Sequence, residues 1–356
     1  MSESIARLIA IYLPQFHPIP ENDEWWGKGF TEWTNTAKAK PLFRGHYQPH
    51  VPADLGFYDL RLPESRDAQA RLAREYGIEA FCYYHYWFAG RRIIERPFDE
   101  VLASGQPNFP FCLSWANQTW SGIWHGAPDK ILIEQTYPGL DDHRAHFESL
   151  LPAFRDHRYV TVEGKPLFLI YRPLEIPEIT KFTQFWRDLA TKAGLRGIYF
   201  VGMNVTGNPT DLGLDGTTTG VMPDRRPWVS KRRPIEWLRR KYEEKTGNPT
   251  VYDYKDIISN IWQPAPGEVD DYPCLIPNWD NSPRSGKNGL VIHNSTPELF
   301  RTHAREVIER IRNRSGERNL VFIKSWNEWA EGNHLEPDLK FGHRYLEVLR
   351  EEFGKK

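Results

Sequence analysis

Cysteine and methionine are scarce in this 356-residue chain, at three each. Three cysteines make no disulfide framework. Cys82, Cys112 and Cys274 each lie within an apolar run, where they read as buried thiols. Long hydrophobic runs are missing too, and nothing approaches the roughly 20 apolar residues that cross a bilayer. The stretch 8–13 is too short for a secretory signal, and Pro14, Pro18 and Pro20 follow at once, so a cytoplasmic protein is expected. No charge of one sign dominates. The chain has 46 Lys and Arg against 47 Asp and Glu, a net charge of −1, which leaves no electrostatic footprint for nucleic acid or an anionic membrane. The basic runs Arg225-Arg226 and Lys231-Arg232-Arg233 are local and read as solvated surface. Glycine-rich phosphate-binding patterns and the HExxH and CxxC spacings of metal sites are absent, so no cofactor and no metal are expected.

Aromatic residues are abundant by contrast. There are 14 Trp, 16 Tyr and 19 Phe in a chain whose mean hydropathy is only −0.62. Short apolar runs at 8–13, 78–83, 109–114, 166–171, 197–202 and 320–326 predict strands, with weaker candidates at 217–222 and 273–278. Helical patterns lie between them. Phe182, Phe185, Trp186, Leu189 and Ala193 recur at spacings of three and four, as do Leu299, Phe300, His303, Val307 and Ile311. Thr296-Pro297 supplies an N-cap and a proline at the first helical position, while Gly77 and Gly194 fall where helices should end. Alternating strands and helices imply a parallel sheet with right-handed crossovers. About eight strands over this length predict a (β/α)8 TIM barrel with enlarged βα loops. No low-complexity linker divides the chain, so one catalytic domain over 1–356 is expected, with long loops at 14–59, 116–139 and 223–271.

In such a barrel the chemistry gathers at the carboxyl ends of the strands. The residues just past each candidate strand are polar and aromatic. Tyr12, Gln15 and His17 follow the first, and Tyr84, His85 and Tyr86 the second. Trp115, Asn117 and Trp120 follow the third, and Tyr171 and Arg172 the fourth. Asn278, Trp279 and Asp280 follow the seventh, and Trp326 and Asn327 the last. Trp33 lies in the first long loop. Aromatic faces that pack on sugar C–H surfaces, beside amides and carboxylates that bind hydroxyls, make a carbohydrate site. The histidines, among them His46, His50 and His125, read as structural or substrate-binding groups. Glu134 admits two readings, a surface strand residue or a sugar-binding carboxylate.

Glu328 and Glu331 stand apart, two acids three positions apart at the end of the most apolar C-terminal strand. In a helical turn, such a pair projects to one side with about 5–6 Å between Cβ atoms. An exposed acidic turn is the plain alternative, but flanking Trp326 and Trp329 argue against full exposure. Glycosidases place one carboxyl as proton donor to the leaving oxygen and a second as base or nucleophile. Asp280 is a competing partner for one of the glutamates. Tyr171-Arg172 stands where the common barrel glycosidases carry Asn-Glu after the fourth strand.

Several segments resemble the WbsX family. They are Ile9-Ala10-Ile11-Tyr12-Leu13-Pro14-Gln15-Phe16-His17, Trp25-Trp26-Gly27-Lys28-Gly29-Phe30-Thr31-Glu32-Trp33-Thr34-Asn35, Trp115-Ala116-Asn117 and Trp326-Asn327-Glu328-Trp329-Ala330-Glu331-Gly332. That family is found with bacterial O-antigen and capsule biosynthesis, is often labelled as glycosyltransferases, and is itself related to the glycoside hydrolase family 99 endo-α-mannosidases. The resemblance implies a carbohydrate substrate and a retaining hydrolase for α-linked manno-configured sugars, of mannose or rhamnose type, in bacterial polysaccharide. It also implies a mechanism through a 1,2-anhydro sugar, with Glu328 as base toward the 2-hydroxyl and Glu331 as acid/base. A glycosyltransferase or transglycosylase in polysaccharide assembly is the alternative. Family 99 has histidine where this chain has Ala330, so its endo-mannosidase specificity does not carry over.

Overall fold

The computed structural model describes residues 4–122, 127–205, 207–218, 249–258 and 270–354. Arg225-Arg226, Lys231-Arg232-Arg233, His125 and most of the long stretch 223–271 lie outside them.

Nine strand segments form the central sheet: β1 (Arg7–Tyr12), β2 (Ala80–His85), β3 (Phe111–Trp115), β4 (Lys165–Ile170), β5 (Tyr199–Met203), β6 (Gly216–Thr218), β7 (Asp270–Tyr272), β8 (Cys274–Leu275) and β9 (Leu320–Ile323). Every pairing along the order β7-β6-β5-β4-β3-β2-β1-β9-β8 is parallel. β7 and β8 are one run interrupted at Pro273, which has no N–H to donate to a ladder. The first piece pairs with β6 and the second with β9. The Pro273 carbonyl still accepts from Phe322 N at 3.0 Å. The sheet is thereby a nearly closed barrel with eight strand positions, as the alternating sequence pattern predicts.

Among the described residues six helices clothe it: α1 (Pro63–Glu75), α2 (Arg96–Ser104), α3 (Leu140–Phe154), α4 (Ile179–Lys192), α5 (Pro297–Ile311) and α6 (Arg344–Phe353). The predicted periodic faces are the buried ones, Phe182, Trp186 and Leu189 on α4 and Phe300, His303, Val307 and Ile311 on α5. Thr296 caps α5 by accepting from Leu299 N, with Pro297 at the first position. Gly77 and Gly194 follow α1 and α4 at φ of 83° and 84°, the left-handed conformation that ends a helix without a Cβ penalty. No helix among the described residues is long and apolar enough to cross a membrane.

Alternation along the strands sorts side chains between barrel interior and helical layer. In β3, Phe111 packs on Phe98 of α2 and Trp115 on Phe182 of α4, so Cys112 and Ser114 take the interior. In β2, Tyr83 packs on Phe98 while Tyr84 faces inward. One expectation needs correction. The last strand ends at Ile323 rather than residue 326. Glu328 lies on a two-residue strand (Asn327–Glu328) and Glu331 on a 3-10 turn (Trp329–Glu331), not on one α-helical turn.

Candidate active site

β9 delivers Lys324 to the carboxyl end of the barrel, buried at 2% side-chain exposure. Its ammonium donates to Glu328 Oε2 at 2.7 Å and to Tyr84 Oη at 3.1 Å, and lies 5.3 Å from the centre of the Trp279 ring. Three residues on, Glu331 Oε1 accepts from Arg284 Nη1 at 2.6 Å. Arg284 sits on a short helix (Ser282–Ser285) and also donates through Nε to Glu32 Oε2 at 3.1 Å. The same Nη1 lies 3.8 Å from Glu328 Oε1. Glu32 is held at the start of a helix (Glu32–Lys38) capped by Thr31, whose hydroxyl accepts from Trp33 N at 3.2 Å. The Glu32 N–H donates in turn to the Gln15 carbonyl, which joins that helix to the loop after β1.

Two buried cations thus face three buried carboxyls. The set is neutral when one carboxyl carries a proton, and the surroundings decide which. Burial opposes ionisation of Glu328, but the Lys324 ammonium, then the Arg284 guanidinium, outweigh it and hold its pKa below the ordinary carboxylate value. Burial and then the Glu328 charge push Glu331 up to about 7, with Arg284 and Lys324 opposing. Burial also raises Glu32 against the pull of Arg284. Two neighbouring carboxyls whose pKa values are driven apart are the arrangement that acid and base roles require.

Aromatic rings line this cluster. Tyr84 and Tyr171 meet edge to face at 6.3 Å. Tyr86 meets Trp120 edge to face at 5.1 Å, and Trp120 meets Trp25 at 5.9 Å, extending the wall outward through half-buried indoles. Gly332 closes the floor. Its φ is 53°, and a Cβ there would stand 2.8 Å from the Asp280 carbonyl oxygen, so only glycine lets the two segments meet.

Of the residues singled out in the sequence, Glu328, Glu331, Tyr86, Tyr171 and Trp279 are gathered here, with Trp120 beyond Tyr86. Others are turned away. Tyr12 donates to Gln69 on α1 at 2.7 Å, His85 bonds His146 on α3 at 2.8 Å, and Trp115 packs 4.7 Å from the same His146. These three have the strand phase that faces the helices. Trp326 packs on Phe81, and Trp33 donates to the Tyr58 carbonyl within a cluster of Phe16 and Trp329.

Three asparagines hold backbone instead of facing the cluster. Asn327 accepts from Leu13 N at 2.8 Å and donates to its carbonyl at 3.0 Å. Asn117 does the same for Arg172, and Asn278 for His334. Asp280 does not partner either glutamate. Its Oδ2 accepts from His46 and Gln48, each at 2.6 Å. His17 is buried against the Pro14 carbonyl, Arg172 pairs with Glu175 near solvent, and Glu134 is exposed, one residue past the strand Ala127–Ile133.

Sequence reasoning missed Lys324 and Arg284 as site residues, placed Tyr84 only among the aromatics after the second strand, and named Glu32 only within a motif. Lys324 had a signal: a lone ammonium ends the apolar run 320–323 at the carboxyl end of the barrel. Arg284 had none, because it reaches the site across 47 residues of chain.

The fold is shared with TIM-barrel glycoside hydrolases. A solved structure titled glycoside hydrolase-like protein superposes with a TM-score of 0.63 at 16% identity, over all of this chain and 96% of the other. The family 99 endo-alpha-mannosidase from Bacteroides thetaiotaomicron gives 0.58 at 15% identity, over 97% and 96%. Residues 8–349 match the family described as Glycosyltransferase WbsX, and the chain belongs to that family. Uncharacterized protein WxcX of Xanthomonas campestris pv. campestris is 40% identical over 350 residues, 97% of this chain and 49% of the relative. The chain spans about half the length of the curated relatives it matches.

Proposed function

We propose that this chain is a retaining glycoside hydrolase acting on α-linked manno-configured sugars, such as mannose or rhamnose, of bacterial polysaccharide or oligosaccharide. One observation carries the reading: two adjacent buried carboxyls, one kept ionised by Lys324 and the other pushed toward its protonated form.

Glu328, ionised, takes the proton of the sugar 2-hydroxyl as O2 attacks C1. The bond from C1 to the leaving oxygen breaks, its electron pair stays on that oxygen, and Glu331 supplies the proton. The product is a 1,2-anhydro sugar. Glu331, now a carboxylate, accepts a proton from water as the water oxygen attacks C1, the C1–O2 bond breaks with its electron pair left on O2, and O2 recovers its proton from Glu328. Two inversions at C1 give net retention. The 2-hydroxyl must lie trans to the leaving group, as it does in α-manno and α-rhamno units. Lys324 stabilises the carboxylate form of the base, and Arg284 stabilises Glu331 when its proton has left. The relation of the WbsX family to family 99 supports this route, as do the shared barrel and the Asn327-Glu328-Trp329 sequence followed by Glu331-Gly332.

A panel of defined α-mannosides and α-rhamnosides, each paired with its 2-deoxy analogue, tests the reading. Cleavage of a parent glycoside but not its 2-deoxy analogue is expected. Equal cleavage of both would rule out the anhydro route. The family's glycosyltransferase description favours a second reading, transfer to an acceptor sugar. Product analysis with and without acceptor separates the two.

A further inference from the structure

Behind the catalytic turn lies a cluster that the proposed reaction does not use. His50 Nδ1 stands 3.1 Å from His334 Nε2, and Asp338 Oδ2 stands 3.8 Å from the first and 4.0 Å from the second. We propose that His50, His334 and Asp338 form a binding site for one divalent transition-metal ion of the zinc class, which ties the catalytic turn to the loop at 46–53.

The geometry supports the ion's size. The point equidistant from three atoms at the vertices of a triangle with sides of 3.1, 3.8 and 4.0 Å lies about 2.1 Å from each, the length of Zn–N and Zn–O bonds. Two imidazoles and a carboxylate suit zinc, cobalt or nickel, and the nitrogen donors disfavour calcium and magnesium. A water on the remaining side completes the coordination, since the His50 side chain is 12% exposed.

The donors are oriented as ligands are. His334 Nδ1 faces the Glu336 carbonyl at 3.0 Å, which fixes the proton there and leaves the Nε2 lone pair toward the cluster. Its ring stacks on Trp329 at 3.8 Å. Asp338 Oδ1 accepts from Lys340 N and Phe341 N, which turns Oδ2 toward the two rings.

The rival arrangement needs no metal: His50 Nδ1–H simply donates to His334 Nε2. Tag-free protein is loaded with Co²⁺ or Zn²⁺, gel-filtered and assayed for metal content, with the Co²⁺ form read by visible ligand-field absorption. The proposal expects close to one equivalent per chain. It expects at least a tenfold loss of affinity in both His50→Ala and Asp338→Asn, each checked for a native circular dichroism spectrum. It also expects Zn²⁺ to raise the Tm of the parent and not of the variants. Less than a tenth of an equivalent in the parent, or the same metal content in folded variants, would overturn it. His50 lies outside the glutamate cluster, so loss of metal binding and loss of the proposed hydrolysis are separate results.

Discussion

The Lys324 ammonium donates to Glu328 across 2.7 Å, with both side chains at 6% exposure or less. This contact separates the roles of the two glutamates, because it favours the charged form of one while the charge so created opposes ionisation of the other. Replacing Lys324 with Met should raise the Glu328 pKa and move the acidic limb of the kcat/KM profile to higher pH. Leaving Glu328 buried without that partner should also cost about 3–5 kcal/mol of stability, read by denaturant unfolding. An unshifted acidic limb in a folded variant would show that Lys324 does not tune the base.

The proposed reaction requires Glu328 ionised and Glu331 protonated. The pH profile should therefore be bell-shaped, with an acidic limb below the ordinary glutamate value and an alkaline limb near 7. Arg284 lowers the Glu331 pKa, so Arg284→Met should carry the alkaline limb upward. Steady-state rates from pH 3 to 9 check both signs.

Glu331→Gln should lower turnover of natural linkages by roughly 100- to 10,000-fold, the range for loss of a general acid. Aryl glycosides with good leaving groups need less protonation and should lose less. The substitution should also affect stability. Folding raises the Glu331 pKa, so its contribution is fully present below the unfolded value near 4.5 and is lost as pH rises through about 7. The Tm difference, variant minus parent, should grow as pH goes from 5 to 8.

Asn327 should act on stability, not substrate affinity. Asn327→Ala leaves the Leu13 N–H and carbonyl without their buried partner, at a cost of roughly 1–3 kcal/mol for each stranded group. Thermal unfolding should register the loss, while KM in any folded protein stays near the parent value.

Trp120 is the indole of the aromatic wall that lies between Tyr86 and Trp25. Trp120→Ala should raise KM for oligosaccharides about tenfold and leave kcat on small aryl glycosides nearly unchanged. A matching fall in kcat would place the ring closer to the reacting carbon.

The barrel was legible because strands buried on both faces read as continuous apolar runs and helices as periodic ones. All eight strand positions fall within or beside the runs at 8–13, 78–83, 109–114, 166–171, 197–202, 217–222, 273–278 and 320–326, with 219–222 lying outside the described residues. The glutamate pair was legible because it interrupts such a run next to two tryptophans. The direction of Tyr12, His85 and Trp115 was not read correctly, although the phase was available in β3. Small Cys112 and Ser114 alternate there with large Phe111, Leu113 and Trp115, and the large set packs on helices. The asparagines were misassigned because an amide that binds a hydroxyl and one that binds a loop carbonyl look alike in sequence. Arg284 and the His50, His334 and Asp338 cluster were hidden because only the closed barrel brings their loops together.

The most direct test follows the anomeric protons by NMR during hydrolysis of a matched α-mannoside or α-rhamnoside. The account predicts that the α-anomer of the new reducing end appears first and then mutarotates. First appearance of the β-anomer would contradict it, because a single inversion leaves no place for attack by the 2-hydroxyl.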